Sequence, residues 1–251
     1  MESPVKVHSR EEKAAEPPDI KEYGAPKEGV RQASDKRLFI QLLVFTECLD
    51  PSKLLKPLEA SGLEAVVYLD VNDPRGVGLL FASEDPALFT DRARKLLTSE
   101  PFSSLKPRPE LTMIGRTYSS GFEPDLEDWL LRKPRRNLFN EGLSWAIWYP
   151  LRRTGEFEAL SKEEQRGILW EHAKLGMGYG AAGFAHDVRL ACHGLDAHDN
   201  EFLLGIVSAD LYPLSRLVQD MRKTQQTSKY IRSMGPFFVG RVFRRFPRPS
   251  L

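Results

Sequence analysis

Four of the chain's five histidines stand between positions 172 and 198. Their spacing decides what chemistry they could carry. His172 has Ile168 and Leu169 one helical turn before it and Leu175 and Gly176 one turn after, which puts the imidazole on an apolar helix face. Such a histidine can project into a pocket, and Gly176 would let a flat ligand come close. From spacing alone, a hydrogen-bonded core histidine is the favoured reading. His186, His193 and His198 crowd around Cys192. Their residue types suit a transition metal, but the spacing follows no helical or knuckle pattern, so loop and edge histidines are expected.

A second group pairs an aromatic with cations. In Trp145-Ala146-Ile147-Trp148-Tyr149-Pro150-Leu151-Arg152-Arg153, strand alternation puts Tyr149 on the face of Trp145 and Ile147, with Arg153 two steps beyond Leu151. A tyrosine and an arginine at a strand end suit an anionic ligand walled by aromatics; an interface strand with a solvated end remains equally open. Arg132, Arg135 and Arg136 form a basic linker, either solvated or binding carboxylates. Gly178-Tyr179-Gly180-Ala181-Ala182-Gly183 fits GxGxxG, but it follows a helical pattern and precedes a strand. A dinucleotide fingerprint needs the reverse order, so a flexible helix-to-strand loop is expected. Arg241 to Arg248 interleaves arginine with phenylalanine, which reads as an edge strand with a basic tail rather than an RNA contact.

The elements that must position these residues repeat. Strands are expected at 38–45, 63–71, 77–82 and 111–118, with helices opening at Asp50-Pro51 and at Asp85-Pro86 and running to about 60 and 97. The second half repeats the order: a strand at 145–151, a helix from the capping box Ser161-Lys162-Glu163-Glu164 to about 175, strands at 188–192 and 201–207, a helix over 212–230 and a strand at 236–243. Two successive βαββαβ units predict an α+β fold, a duplicated ferredoxin-like unit of the dimeric α+β barrel type. Residues 1–35, with Pro4, Pro17, Pro18 and Pro26 among many charges, read as a disordered tail. Residues 36–140 and 141–251 read as the two halves.

The chain has 251 residues, 36 Lys plus Arg against 35 Asp plus Glu, and 41% hydrophobic residues. A net charge of +1 argues against nucleic acid as partner. Cys48 and Cys192 are too few for a disulfide framework and read as reduced thiols, which suits a cytoplasm. No apolar run reaches the ~20 residues that span a bilayer, and Met1 to Pro18 does not read as a secretory signal.

The second half resembles the chlorite dismutase family, which includes the coproheme decarboxylases. The resemblance rests on Trp148-Tyr149-Pro150-Leu151-Arg152-Arg153, on Glu163-Glu164-Gln165-Arg166 leading to Glu171-His172, and on Gly194-Leu195-Asp196. It continues in Met221-Arg222-Lys223-Thr224-Gln225-Gln226-Thr227 through Tyr230 and in Gly235-Pro236-Phe237-Phe238-Val239-Gly240. It implies that His172 is the iron ligand of a haem and that Tyr149 takes the place of the decarboxylase's radical-forming tyrosine. Arg153, Arg222, Thr227 and Arg135 or Arg136 would lie near the propionates. The residue on the other side of the iron would be Arg189, His186 or Ala185, depending on register. Gln225 stands where many members carry the glutamate that hydrogen-bonds the iron ligand. The implied activity is peroxide-dependent decarboxylation of coproheme. Alternatives are chlorite dismutation or weak peroxidase activity with haem b, with Arg189 as the distal residue, and a haem carrier, sensor or haem-free binding module. A homo-oligomer, commonly a pentamer, is also implied.

Overall fold

The computed structural model describes residues 17–247. Its strands are β1 (Glu22–Lys27), β2 (Val30–Ser34), β3 (Phe39–Thr46), β4 (Ala65–Asp70), β5 (Val77–Ser83), β6 (Lys106–Pro107), β7 (Met113–Thr117), β8 (Trp145–Arg153), β9 (His186–Ala191), β10 (Phe202–Ser208), β11 (Ile231–Met234) and β12 (Phe238–Phe246). The helices are α1 (Leu55–Ser61), α2 (Ala87–Thr90), α3 (Arg92–Leu97), α4 (Lys133–Phe139), α5 (Gly155–Ala159), α6 (Lys162–Ala181), α7 (Leu211–Met221) and α8 (Gln225–Tyr230).

Strand order explains the repeat. The first half runs β7-β3-β5-β4 and the second β12-β8-β10-β9, in each case the fourth, first, third and second strand of that half. Because β4 pairs with β12 and β7 with β9, the eight strands close into a ring. A closed ring leaves none of the eight with a free hydrogen-bonding edge.

Alternation sorts each strand's residues to the inside or the outside of that ring. Ile40, Leu42, Val66, Tyr68, Leu80, Ala146, Trp148, Val188, Leu190, Leu203, Val207 and Phe238 fill the interior. Two bulky side chains need glycines opposite them. A Cβ on Gly205 would fall on the Trp148 ring, and one on Gly78 would lie 2.5 Å from the Phe238 ring. The outward faces differ between halves. That of the first half is packed by Leu54 and Leu58, with Ala93 of α3 and Phe102, against Val67, Leu79 and Phe81. That of the second half carries Ile147, Tyr149, Leu151 and Ile206 against Leu214 and Leu217 of α7. Over it α6 is packed lightly, with only Gln165 and Ile168 buried along its 20 residues.

Three expectations are corrected. Residues 22–34 are not a tail but the hairpin β1–β2, turned at Glu28 and Gly29, both with positive φ. Its polar strands are held by hydrogen bonds rather than by a core. Glu22 binds Arg116 and Ser119, and Gln32 binds the backbone at Glu123, Pro124 and Leu126. Residues 1–16, at the start of the expected tail, lie outside the described residues. The GxGxxG segment is not a loop up to Ala181, because α6 continues through Gly178 and Gly180 and its chain turns at Gly183, whose φ is +71°. The 212–230 helix is two, α7 and α8, with Thr224 at the position just before the second. The basic tail beyond Pro247 lies outside the described residues.

Candidate functional site

The site grows from one row of the sheet. Leu204 of β10 pairs with Tyr149 of β8 on one side and with Arg189 of β9 on the other. Directly paired residues point to the same face, so Tyr149 and Arg189 both project outward with Cα atoms about 10 Å apart. Asp187, Ile206 and Ile147 form the next row on that face. His186 pairs with Val207 and therefore points the other way, which removes it from this face.

His172 faces the region from α6. Its Nδ1 lies 3.1 Å from Thr224 Oγ1, and that hydroxyl donates to the Met221 carbonyl at 2.8 Å, with Thr227 Oγ1 at 3.4 Å as its other acceptor. With its proton committed, Thr224 accepts from Nδ1–H. That selects the tautomer whose Nε2 carries the lone pair. Burial first, and the Arg189 charge second, push His172 down to about 4, against a small opposing effect of Glu171. The imidazole is therefore neutral at neutral pH. Buried Thr224 was not singled out in the sequence, although a threonine ahead of Gln225-Gln226 is a recognisable helix-start signal. The partner of the histidine is Thr224 rather than Gln225, whose backbone N–H donates to Glu171 at 3.3 Å.

Tyr149 is buried and stacks on Phe237, with ring centroids 4.6 Å apart and planes at 23°. Burial pushes its hydroxyl up to about 12, while the nearby Arg222 charge acts weakly in the opposite sense. The hydroxyl makes no hydrogen bond among the described residues. Arg222 is exposed at the end of α7 and makes no ion pair among them. Thr227 is partly buried on α8, and Gly176 lies on α6 where a Cβ would meet Met221 Cε at 3.3 Å. Thr227 thus reaches the hydroxyl that binds His172, and the Arg222 charge acts on Tyr149.

Arg189 is held on its own face. Its Nε lies 2.8 Å from Asp187, and its guanidinium sits over the Trp129 indole at 4.7 Å. Lys133 uses the same two groups, 2.9 Å from Asp187 and 4.0 Å from the indole centroid. Burial opposes ionisation of Asp187, but the Arg189 and Lys133 charges outweigh it and hold the carboxyl below the usual carboxylate range. Trp129 is fixed in turn by its Nε1–H, which donates to the Tyr118 carbonyl at 2.9 Å.

Two expected ligand-binding arginines are committed elsewhere. Arg153 lies 3.4 Å from both Glu158 and Glu201 and packs over Phe157 and Phe202. Arg135 is bound by Glu64 at 2.9 Å and Glu84 at 3.1 Å, contacts that tie α4 to the first half rather than to the His172 face. Arg136 pairs with Asp128, and Arg132 with Asp125 and Asp128. Among the described residues no cluster of three or more His, Cys, Asp or Glu could hold a metal. Cys192 instead donates to the Asn200 carbonyl, and His193 stands edge-on to Phe202. No helix of the described residues is long and apolar enough to cross a membrane.

Residues 79–243 match the family model for chlorite dismutase. A heme-binding protein from Thermus thermophilus is similar in fold, with a TM-score of 0.66, 16% identity, and coverage of 90% of this chain and 92% of that one. A chlorite dismutase variant from Candidatus Nitrospira defluvii superposes with a TM-score of 0.66 at 15% identity, covering 84% and 93%. The imidazole complex of the enzyme from the same organism gives 0.64 at 14%, covering 84% and 93%.

Proposed function

Since this chain belongs to the chlorite dismutase family, we propose that it binds haem through His172 and acts as an oxidoreductase on coproheme, removing propionate carboxylates with peroxide as oxidant. The residues present fit an iron porphyrin. His172 offers a neutral Nε2, the wall is aromatic at Tyr149 and Phe237, and Arg222 has a charge to give a carboxylate. When bound, the haem iron supplies the oxidising chemistry that peroxide drives.

The observation that carries the reading is an oriented His172 on α6, a helix whose Tyr179 packs against the cluster that holds the buried Tyr149. Thr224 keeps the Nδ1 proton in place and so presents Nε2 as the ligand atom. A neutral hydroxyl draws less on that proton than a carboxylate would, which leaves the imidazole a weaker electron donor. Tyr149, with its hydroxyl pushed up to about 12, keeps its proton at neutral pH and can give up a whole hydrogen atom. Arg222 and Thr227 hold propionate oxygens by charge-assisted and hydroxyl hydrogen bonds. Arg153 and Arg135 take no part in this scheme, because acidic side chains already engage their guanidinium groups.

A second reading, chlorite dismutation or peroxidase activity with haem b, is favoured by Arg189, which shares the Tyr149 row and whose charge reaches His172. A visible absorption titration with coproheme and haem b separates the readings. Wild type is expected to bind coproheme and His172→Ala to lose it; Tyr149→Phe is expected to bind but form no vinyl group on addition of peroxide. Vinyl formation by Tyr149→Phe removes the tyrosine's role. Binding of haem b without conversion of coproheme moves the assignment to the second reading, and the absence of a Soret shift with either porphyrin overturns both.

A further inference from the structure

We infer that Asp187, Lys133 and Trp129 are positioning residues that set how freely the Arg189 guanidinium can turn to a small anion. The inference rests on the second haem reading above, in which Arg189 would face a small anion bound at the haem.

The geometry is a competition for shared sites. Asp187 offers one oxygen to Arg189 Nε at 2.8 Å and the other to Lys133 Nζ at 2.9 Å. The Trp129 indole lies under both cations, at 4.7 and 4.0 Å. Every group that restrains Arg189 therefore also binds Lys133. The cluster carries two positive charges against one negative, so it keeps a net positive charge that attracts an anion. A guanidinium bound through Nε still has its terminal N–H groups to donate. Lys133 weakens the hold of Asp187 on Arg189 by neutralising part of the carboxylate charge.

The cluster is anchored on both sides. Asp187 stands on β9 two residues from Arg189, where alternation returns its side chain to the same face. Lys133 and Trp129 come from α4 and the turn before it, and α4 is pinned to β9 by Asn137, whose amide donates to the Asp187 carbonyl at 2.8 Å. The segment joining the two halves thus supplies the restraint on an arginine of the second half. The Arg189 side chain is 39% exposed, which leaves it room to swing.

Removing each competitor should have opposite effects. Asp187→Asn releases Arg189 and raises the local positive charge, so anion affinity should rise. Lys133→Met leaves Asp187 to Arg189 alone and removes a charge, so anion affinity should fall. Fluoride titration of the ferric haem-loaded protein reads this without turnover. Each change is expected to be about fivefold, and Arg189→Ala should weaken fluoride at least about tenfold. In the apoprotein, the Arg189 Nε–H resonance should exchange slowly in wild type and faster in Asp187→Asn.

If Arg189→Ala leaves fluoride affinity unchanged, Arg189 does not face the iron and the underlying reading falls with the inference. If Arg189→Ala weakens fluoride while Asp187→Asn and Lys133→Met fail to move it in opposite directions, the inference alone is overturned. An Nε–H exchange rate unaffected by Asp187→Asn overturns it as well, on the apoprotein and independently of haem loading.

Discussion

The state of His172 is set by two neighbours and by burial acting together. Thr224 accepts its Nδ1 proton, burial disfavours its charged form, and Arg189 adds like-charge repulsion. Replacing Thr224 by Val removes the acceptor at similar volume and should weaken haem binding about tenfold, measured by the same absorption titration; unchanged affinity would show that the tautomer is held some other way. The depressed proton affinity also has a sign in folding. An unfolded chain protonates this imidazole near 6.5 and the folded apoprotein only near 4. The unfolded state therefore binds more protons between those values. The stabilisation from His172 is complete above pH 6.5, is lost as pH falls towards 4, and changes no further below that. Urea midpoints of the apoprotein at about pH 7 and about pH 4.5 should draw apart less in His172→Gln than in wild type. At this scale the sequence was informative about types and poor about partners. His172, Tyr149 and Arg222 stood out by spacing or resemblance. Thr224, Asp187 and Trp129 did not, because their roles depend on contacts between separate elements far apart in the chain.

Helix α6 shows what can and cannot be read at the level of an element. Its start is written locally: Ser161 accepts from the Glu164 N–H, and Glu164 returns a bond to the Ser161 N–H. Ser161→Ala should cost about 1 kcal/mol, visible as a lower thermal midpoint with an unchanged haem spectrum once folded. Its end is not written locally. Gly178 and Gly180 lower helix propensity by about 1 kcal/mol each relative to alanine, which is why a loop was the natural expectation. The helix persists through them because Tyr179 is tied to Asp220 of α7 at 2.8 Å, an acid that also binds Arg216 and Lys223. The hairpin β1–β2 was missed for a related reason. Its strands have no apolar alternation, and its stability comes from long-range hydrogen bonds to residues 116–126 that no local pattern announces.

For the whole molecule, the duplication was legible because each half repeats the same order of strands and helices. Closure was not, since it is made by two pairings between halves, β4 with β12 and β7 with β9. Closure makes the interior intolerant. Gly205→Ala drives a Cβ into Trp148, a ring that is fully buried and has nowhere to move. The expected cost is about 3 kcal/mol, measured as a shift in the denaturant midpoint. A midpoint within error of wild type would mean that the ring closes more loosely than its packing implies.

Strand β8 is bonded along one edge by β10 and along the other by β12 and β11, and it carries Tyr149. The tyrosine proposed to carry the chemistry is therefore built into the keystone of the barrel. That constrains how such a protein can evolve. Ala146 and Trp148 face inward and answer to folding, whereas Ile147, Tyr149 and Leu151 face outward, toward α7 and the proposed ligand. New specificities can arise by exchanging side chains at every second position of one strand while the alternate set stays fixed. Insertions are closed to it, because a single added residue would exchange the two sets and unmake the barrel and the site together.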